Sequence, residues 1–384
     1  MRTVLYITYY WPPSGGAGVQ RSLKNVKLLP AHGVRPIVLT VDPRWASYPV
    51  LDPSLEHDVP TDVRVIRTRS FEPLRWLAAI LGARSVPHAG FADADRAGPL
   101  QKAMRWVRGN WMVPDARRGW VHHAYKAAAR VIANEPIDAV VISSPPHSSQ
   151  LIGLRLKERF PRLRWIADLR DPWTDIYYMD EFMRGPRAAR LDARWESRTL
   201  HRADAVVVTG PATRSAFVAR YGPDVGRRIH VITNGYDAGD IEGLVPAQRS
   251  GNAFRITYVG TMAASYAPGT FFNALAAARA RLDVPLEVRF VGTVADEVRQ
   301  AARAAGIDDR CTWAPVVPHG EALREMAAAD LLVLVIPEAR GAERIVPGKL
   351  FEYIAVGRPV LGIGPAASDA AMILRECGAG RMFE

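Results

Sequence analysis

Residues 1–41 read MRTVLYITYYWPPSGGAGVQRSLKNVKLLPAHGVRPIVLTV, and the order of patterns in this stretch decides the fold. Val4–Thr8 is a β-favouring run. Val19, Leu23, Val26 and Leu29 then recur at spacings of three and four, the period of one helical face, and Gly33 closes that helix before a second run at Pro36–Val41. Strand, helix, strand is the unit of a parallel sheet, because parallel neighbours need a crossover between them. Further runs fall at Val63–Arg67, Ala139–Ser143, Arg164–Leu169, Ala205–Thr209 and Ile229–Thr233. After a polar, glycine-bearing loop at 237–252 the pattern restarts. Strands are expected there at Arg255–Val259, Leu286–Val291, Leu331–Ile336 and Val360–Ile363, with helices near Phe271–Arg281 and Asp296–Ala305. The expectation is an α/β chain of two parallel-sheet domains, 1–240 and 250–384, facing a central cleft. Residues of about 70–135 alternate poorly and read as a basic helical insertion in the first domain.

The chain has 384 residues, 48% hydrophobic and 23% charged, which fits a soluble globular protein and excludes a disordered tail or a membrane bundle. Its apolar runs fall short of the roughly 18 residues of a spanning helix. The first residues carry turn formers where a signal peptide has small cleavage-site residues, so a cytoplasmic location is expected. Two cysteines, Cys311 and Cys377, do not make a disulfide framework or a cysteine zinc site. The net charge of +11 lies wholly in residues 1–200, which hold 30 Lys and Arg against 19 Asp and Glu. Within Arg64–Arg130 the basic residues are interleaved with Trp76, Phe91, Trp106, Trp111 and Trp120. Nucleic acid, anionic lipid or a phosphorylated substrate each answers such a field, as does a plain solvated arginine surface.

Four motifs follow strands, where ligands of open α/β sheets bind. The loop Pro12–Gly18 brings Gly15 and Gly16 before a helix N-terminus, a setting in which backbone N–H groups approach an anion. Read as a dinucleotide fingerprint it fails at Arg21, which stands where the third glycine belongs. Ser143–Ser149 supplies His147, and Asp168–Trp173 supplies Asp168, Arg170 and Asp171. Together these bring hydroxyls, an imidazole, carboxylates and a guanidinium to one rim, able to orient sugar hydroxyls or assist proton transfer. Alternatively, Ser148 caps the next helix and Arg170 closes a loop onto an aspartate. The fourth motif, Arg344-Ile345-Val346-Pro347-Gly348-Lys349-Leu350-Phe351-Glu352-Tyr353, reads as the start of a short helix from about Pro347. Lys349 there opposes the helix dipole unless an anion such as a diphosphate sits on it. Glu352, three residues on, suits ribose hydroxyls, or else forms an exposed surface pair with Lys349.

The glycine loop, Arg170-Asp171-Pro172-Trp173, Ile232–Asp237, Tyr258-Val259-Gly260 and Pro347–Tyr353 followed by Gly357–Leu361 together resemble family 4 glycosyltransferases of the two-domain GT-B fold, over the whole sequence. The resemblance implies two Rossmann-like domains and a retaining transfer from a nucleotide-sugar, without a cofactor or an obligatory metal. It implies a donor site on the C-terminal domain at Gly348, Lys349, Glu352 and, by substitution, Arg344. The acceptor, a glycan or polyprenyl-linked species of cell-surface polysaccharide or glycolipid synthesis, is implied near Gly15, Gly16, Asp168, His147, Arg170 and Asp171, with the last three as catalytic candidates. The chain departs from the pattern in three ways. Arg344 stands where the family's first glutamate belongs, Gly260 is followed by Thr261-Met262-Ala263-Ala264 without the usual basic pair, and the final crossing helix is expected to be missing. Peripheral attachment at the inner face of an anionic membrane is expected of Arg64–Arg130, and no nucleic-acid partner. A nucleotide-sugar epimerase of the same fold and a basic nucleic-acid-binding protein remain the alternatives.

Overall fold

The computed structural model describes residues 1–72, 99–177, 179–249, 251–266, 269–279, 281 and 283–384. It divides the chain into two compact units, Met1–Thr233 and Asn234–Glu384.

The first unit is built on a seven-stranded parallel sheet. In chain order its strands are β1 (Arg2–Ile7), β2 (Val34–Val41), β3 (Arg64–Thr68), β4 (Ala139–Ser144), β5 (Arg164–Leu169), β6 (Ala205–Val208) and β7 (Ile229–Val231). They lie side by side in the order β3-β2-β1-β4-β5-β6-β7. The central strands read as continuous apolar runs because helices cover both faces. Leu5 and Ile7 are buried on one face beside Ile37, Leu39 and Ile142, and Tyr6 and Val38 on the other. The helix Ala17–Leu28 lays Val19, Leu23 and Val26 onto that second face, all at 0% exposure, and Gly33 at φ 72° ends the following turn. On the first face, the helix Val121–Asn134 approaches closely through Ala124 and Ala128, and Trp120 fills the space beside them.

The second unit repeats the plan with six parallel strands: β8 (Phe254–Val259), β9 (Leu286–Val291), β10 (Cys311–Ala314), β11 (Leu331–Val335), β12 (Val360–Ile363) and β13 (Gly380–Phe383), ordered β10-β9-β8-β11-β12-β13. Tyr258, Phe272 and Phe290 fill one of its cores, and Leu332, Leu334, Leu350 and Tyr353 the other. In both sheets the strand order reverses once, between β1 and β4 and between β8 and β11. At such a reversal the connections leave in opposite directions and open a crevice at the carboxyl ends of the strands.

Two sequence expectations change here. The helix expected to begin near Pro347 begins at Lys349 and spans only Lys349–Ala355. The basic segment Arg64–Arg130 is not one surface. Its residues 73–98 lie outside the described residues, whereas Arg117 and Trp120 are internal, donating to the Ser47 carbonyl at 2.9 Å and to Thr68 Oγ1 at 2.8 Å. No helix among the described residues is long and apolar enough to cross a membrane.

Candidate functional site

At the β1/β4 reversal the loop after β1 runs to the helix Ala17–Leu28. Gly15 N–H donates to the Val50 carbonyl at 2.8 Å, and a Cβ on Gly15 would press on Asp52 Cβ at 3.1 Å, so this glycine lets the loop lie against 50–52. Gly16 holds φ 84°, which favours glycine, and faces open space. Arg170 binds this loop to its neighbours: Nη1 donates to the Gly18 carbonyl at 2.7 Å, Nη2 to Pro145 at 2.8 Å and Nε to Ser144 at 3.3 Å. Arg170 thus donates to backbone carbonyls of two other segments, and not to an aspartate.

Asp168 lies beneath the rim at 3% exposure. Arg21 Nη2 and Ser143 Oγ each reach its carboxylate at 2.9 Å, and the same guanidinium donates to the carbonyls of Thr233 at 2.9 Å and Ile232 at 3.1 Å. This is why an arginine occupies the place a dinucleotide loop gives to glycine. Asp171 sits half-buried at the rim, where burial raises its carboxyl above the usual range, Arg170 opposing and Asp168 adding. His147 stacks on Trp173 with ring centroids 5.0 Å apart, and burial pushes its imidazole down to about 3 with Arg170 helping, so the ring is neutral at neutral pH. Ser148 does not cap the following helix; its Oγ donates to Asp115 at 2.8 Å. The Asp171–Thr174 segment is held from below: Trp173 Nε1 donates to Asp192 at 2.8 Å, and Thr174 N–H to the buried Glu196 at 2.7 Å.

At the β8/β11 reversal of the second unit, two strand ends are bare. Gly260 after β8 has φ 116° and Gly292 after β9 has φ 131°; a Cβ on Gly292 would lie 2.3 Å from the Gly260 carbonyl oxygen. Over this edge reaches Lys349. Its ammonium stands 3.9 Å from the centroid of the Tyr258 ring, close enough to Gly260 that a Cβ there would meet Nζ at 2.9 Å. Burial pushes Lys349 down to about 7, with Glu352 opposing. Glu352 is turned to His319, whose ring Nε2 lies 2.9 Å from Oε1, so the two do not form the exposed lysine–glutamate pair weighed above. Tyr353, next in the helix, accepts the Val259 N–H at 3.0 Å and fixes the helix against β8.

Gly348 precedes the helix with helical dihedrals. Arg344 is different. It is 7% exposed, its Nε lies 3.3 Å from Glu343, and its guanidinium fills the space a side chain at Gly341 would need. It is built into the loop 341–345.

Sequence reasoning missed His319, the Tyr258 ring and the Arg21–Asp168 pair. His319 did carry a signal, since it opens the helix His319–Ala327, where a group able to become cationic is disfavoured as it is at Lys349. The arrangement in the second unit offers one desolvated ammonium, one oriented carboxylate and two side-chain-free turns, a fit for an anion with hydroxyls attached.

Residues 86–240 match the family model Glycosyltransferase Family 4. No curated protein matches the chain by sequence. Among solved structures, sucrose-phosphate synthase from Thermosynechococcus elongatus is similar at 15% identity and a TM-score of 0.61, over 100% of this chain and 86% of that one. Anabaena Alr3699/HepE, solved in complex with UDP and glucose, is similar at 16% identity and a TM-score of 0.56, over 100% and 85%. WaaG, a glycosyltransferase involved in lipopolysaccharide biosynthesis, is similar at 16% identity and a TM-score of 0.53, over 99% and 85%. At such identities the likeness is one of fold.

Proposed function

We propose that this chain is a family 4 glycosyltransferase of GT-B fold that moves a sugar from a nucleoside-diphosphate donor held on Asn234–Glu384 to a glycan or lipid-linked acceptor met by Met1–Thr233. The observation that carries the reading is the Lys349–Tyr258–Gly260 edge with the Glu352–His319 pair three residues along the same helix. An ammonium in an apolar setting is costly by itself and gains most from a ligand that brings negative charge. A diphosphate over Gly260 and Gly292 would supply it, and Glu352 would accept hydrogen bonds from the ribose hydroxyls of the same molecule. Gly348 completes the turn on the diphosphate side.

In the proposed transfer the bond from the anomeric carbon to the diphosphate oxygen breaks and a bond to the acceptor oxygen forms on the same face. The acceptor proton passes to the departing phosphate oxygen. Lys349 then stabilises charge that grows on the diphosphate, a kind of contact whose removal typically raises a barrier by roughly 2.7 to 4 kcal/mol. Asp171 and the neutral His147 are assigned to the acceptor hydroxyls at the rim of the first unit, with Gly15 and Gly16 as the bare loop beside them and Asp168 beneath. The relative involved in lipopolysaccharide biosynthesis supports an acceptor of the cell envelope, and the relative holding UDP and glucose puts UDP first among donors to try.

The test is a thermal-shift panel of UDP, GDP, dTDP and ADP on the wild type and Glu352→Ala. Stabilisation by one nucleoside diphosphate, lost in the variant, is expected. If none stabilises the wild type, the donor assignment fails. Product analysis without acceptor separates an epimerase, which would convert the nucleotide-sugar unaided.

A further inference from the structure

The helices Val121–Asn134, Gln150–Arg159 and Pro186–Arg202 carry three acidic residues between them. Two of these, Asp192 and Glu196, are turned inward to hold Trp173 and Thr174, which leaves Glu158 as the only exposed acid on the three. The outward side of the third helix is an arginine stripe. Arg187, Arg190, Arg194, Arg198 and Arg202 recur at spacings of three and four, which places them on one helical face about 25 Å long. Four of the five are exposed, and Arg198 alone leans on Glu158, at 2.9 Å.

The neighbouring helices extend this face. Lys126 and Arg130 are exposed at a spacing of four on the first helix, and Arg155 and Arg159 on the second. An open groove between those two helices is lined by His122, Tyr125, Arg155, Glu158 and Arg159. Right-handed crossovers that all advance in one direction, β3 to β4 to β5 to β6, put the three helices side by side on one side of the sheet. The outcome is a broad, level, basic face.

We infer that this face docks on an anionic phospholipid surface. A plane of guanidinium groups over three parallel helices is complementary to a plane of anionic headgroups, each such side chain adding to the attraction. A duplex or single strand is less well matched. The helices lie flat instead of presenting an end to a groove, and their larger aromatics, Tyr125 and Trp195, are partly covered and form no stacking platform. The stripe starts at Arg187, just after the loop that carries Asp171, so a bilayer on this face would lie near the rim assigned to the acceptor. That last link rests on the function proposed above, which makes a lipid-linked acceptor the natural substrate; the docking itself does not.

Vesicle flotation tests it, using the full chain with phosphatidylcholine vesicles and with vesicles containing phosphatidylglycerol. The variant is Arg187→Gln/Arg190→Gln/Arg194→Gln. A control of equal charge, Arg64→Gln/Arg227→Gln/Arg303→Gln, leaves the stripe intact. The wild type and control should float only with anionic vesicles, and less so as salt rises, while the stripe variant loses binding by about tenfold or more. Nucleoside-diphosphate thermal shifts, measured in parallel, should be the same in all three. They report folding and the donor site separately from docking. Equal flotation on neutral vesicles, no flotation on either, or an unchanged stripe variant overturns the inference. Tight duplex binding by a protein that ignores vesicles would assign the face to nucleic acid instead.

Discussion

The Lys349 ammonium stands 3.9 Å from the centroid of the Tyr258 ring, a cation held by a π face at the end of the central strand of its sheet. The ring returns part of what the ammonium loses on leaving water, which keeps the charged form within reach of a ligand. Three predictions come from this pair and the contacts around it, and a fourth from the core of the first unit.

Burial pushes the Lys349 ammonium from its ordinary 10.5 down to about 7 in the fold. Between those values the unfolded chain binds more protons, so this group makes stability rise with pH across that window, and its cost is full below about 7. Lys349→Met should therefore raise the stability of the ligand-free protein at pH 6 by about 1–3 kcal/mol, with the gain vanishing toward pH 10. The same variant should lose nucleoside-diphosphate binding. Urea denaturation at the two pH values decides it; a destabilised variant at pH 6 would count against the buried-cation account.

On the donor site proposed above, a diphosphate would bind the protonated form of Lys349. Nucleoside-diphosphate affinity should fall as pH rises from 7 to 9, by up to about tenfold per unit, and flatten in Lys349→Arg, whose guanidinium keeps its proton. Calorimetric titration in buffers of different ionisation enthalpy should show proton uptake at pH 8. No uptake, with a flat wild-type profile, would sink the linkage.

His319 holds the Glu352 carboxylate at 2.9 Å. His319→Ala should lower the preference for a ribonucleoside diphosphate over its 2′,3′-dideoxy analogue by about five- to tenfold, the net worth of one ordinary hydrogen bond. Binding of inorganic diphosphate should not change, and His319→Gln should restore part of the preference. An equal loss for both nucleotides would mean that His319 serves the fold alone.

Gly153 packs directly on Trp165; a Cβ there would sit 2.2 Å from the indole. Gly153→Ala should cost about 1–3 kcal/mol of the first unit's stability through overpacking. Donor binding on the second unit should remain. A neutral effect on the melting temperature would show that the contact relaxes freely.

The sheets were legible in the sequence where strands are central and apolar. Val4–Thr8, Ala139–Ser143 and Leu331–Ile336 each match an observed strand within a residue or two, since burial on both faces leaves a continuous apolar run. Cys311–Ala314 and Gly380–Phe383 were missed because each is a four-residue edge strand with exposed positions and no such run. Lys349 and Glu352 could be singled out because they sit in the first turn of a helix, where charge signs are constrained. His319 lies 33 positions from Glu352, and Arg21 lies 147 from Asp168, so no spacing rule joins them; only the sheet order does. Arg170 and Arg344 show the reverse limit. A motif places an arginine near a site, but whether its donors face a ligand or the backbone depends on loop paths set by the rest of the fold.

Arg21 also fixes an order in time. It leaves the ribosome early, yet its side chain closes on the Thr233 carbonyl, 212 residues later. At about 5–20 residues per second, some 10–40 s of synthesis separate the two partners. Until then the guanidinium lacks its bonds to the Ile232 and Thr233 carbonyls, and its partner Asp168 itself arrives well after Arg21. The nascent first unit therefore lacks these contacts at its carboxyl edge, and its sheet lacks an edge strand, until β7 has emerged. A stall or a cut before residue 233 should leave a chain that chaperones and proteases recognise, whereas one made after it should release a folded half.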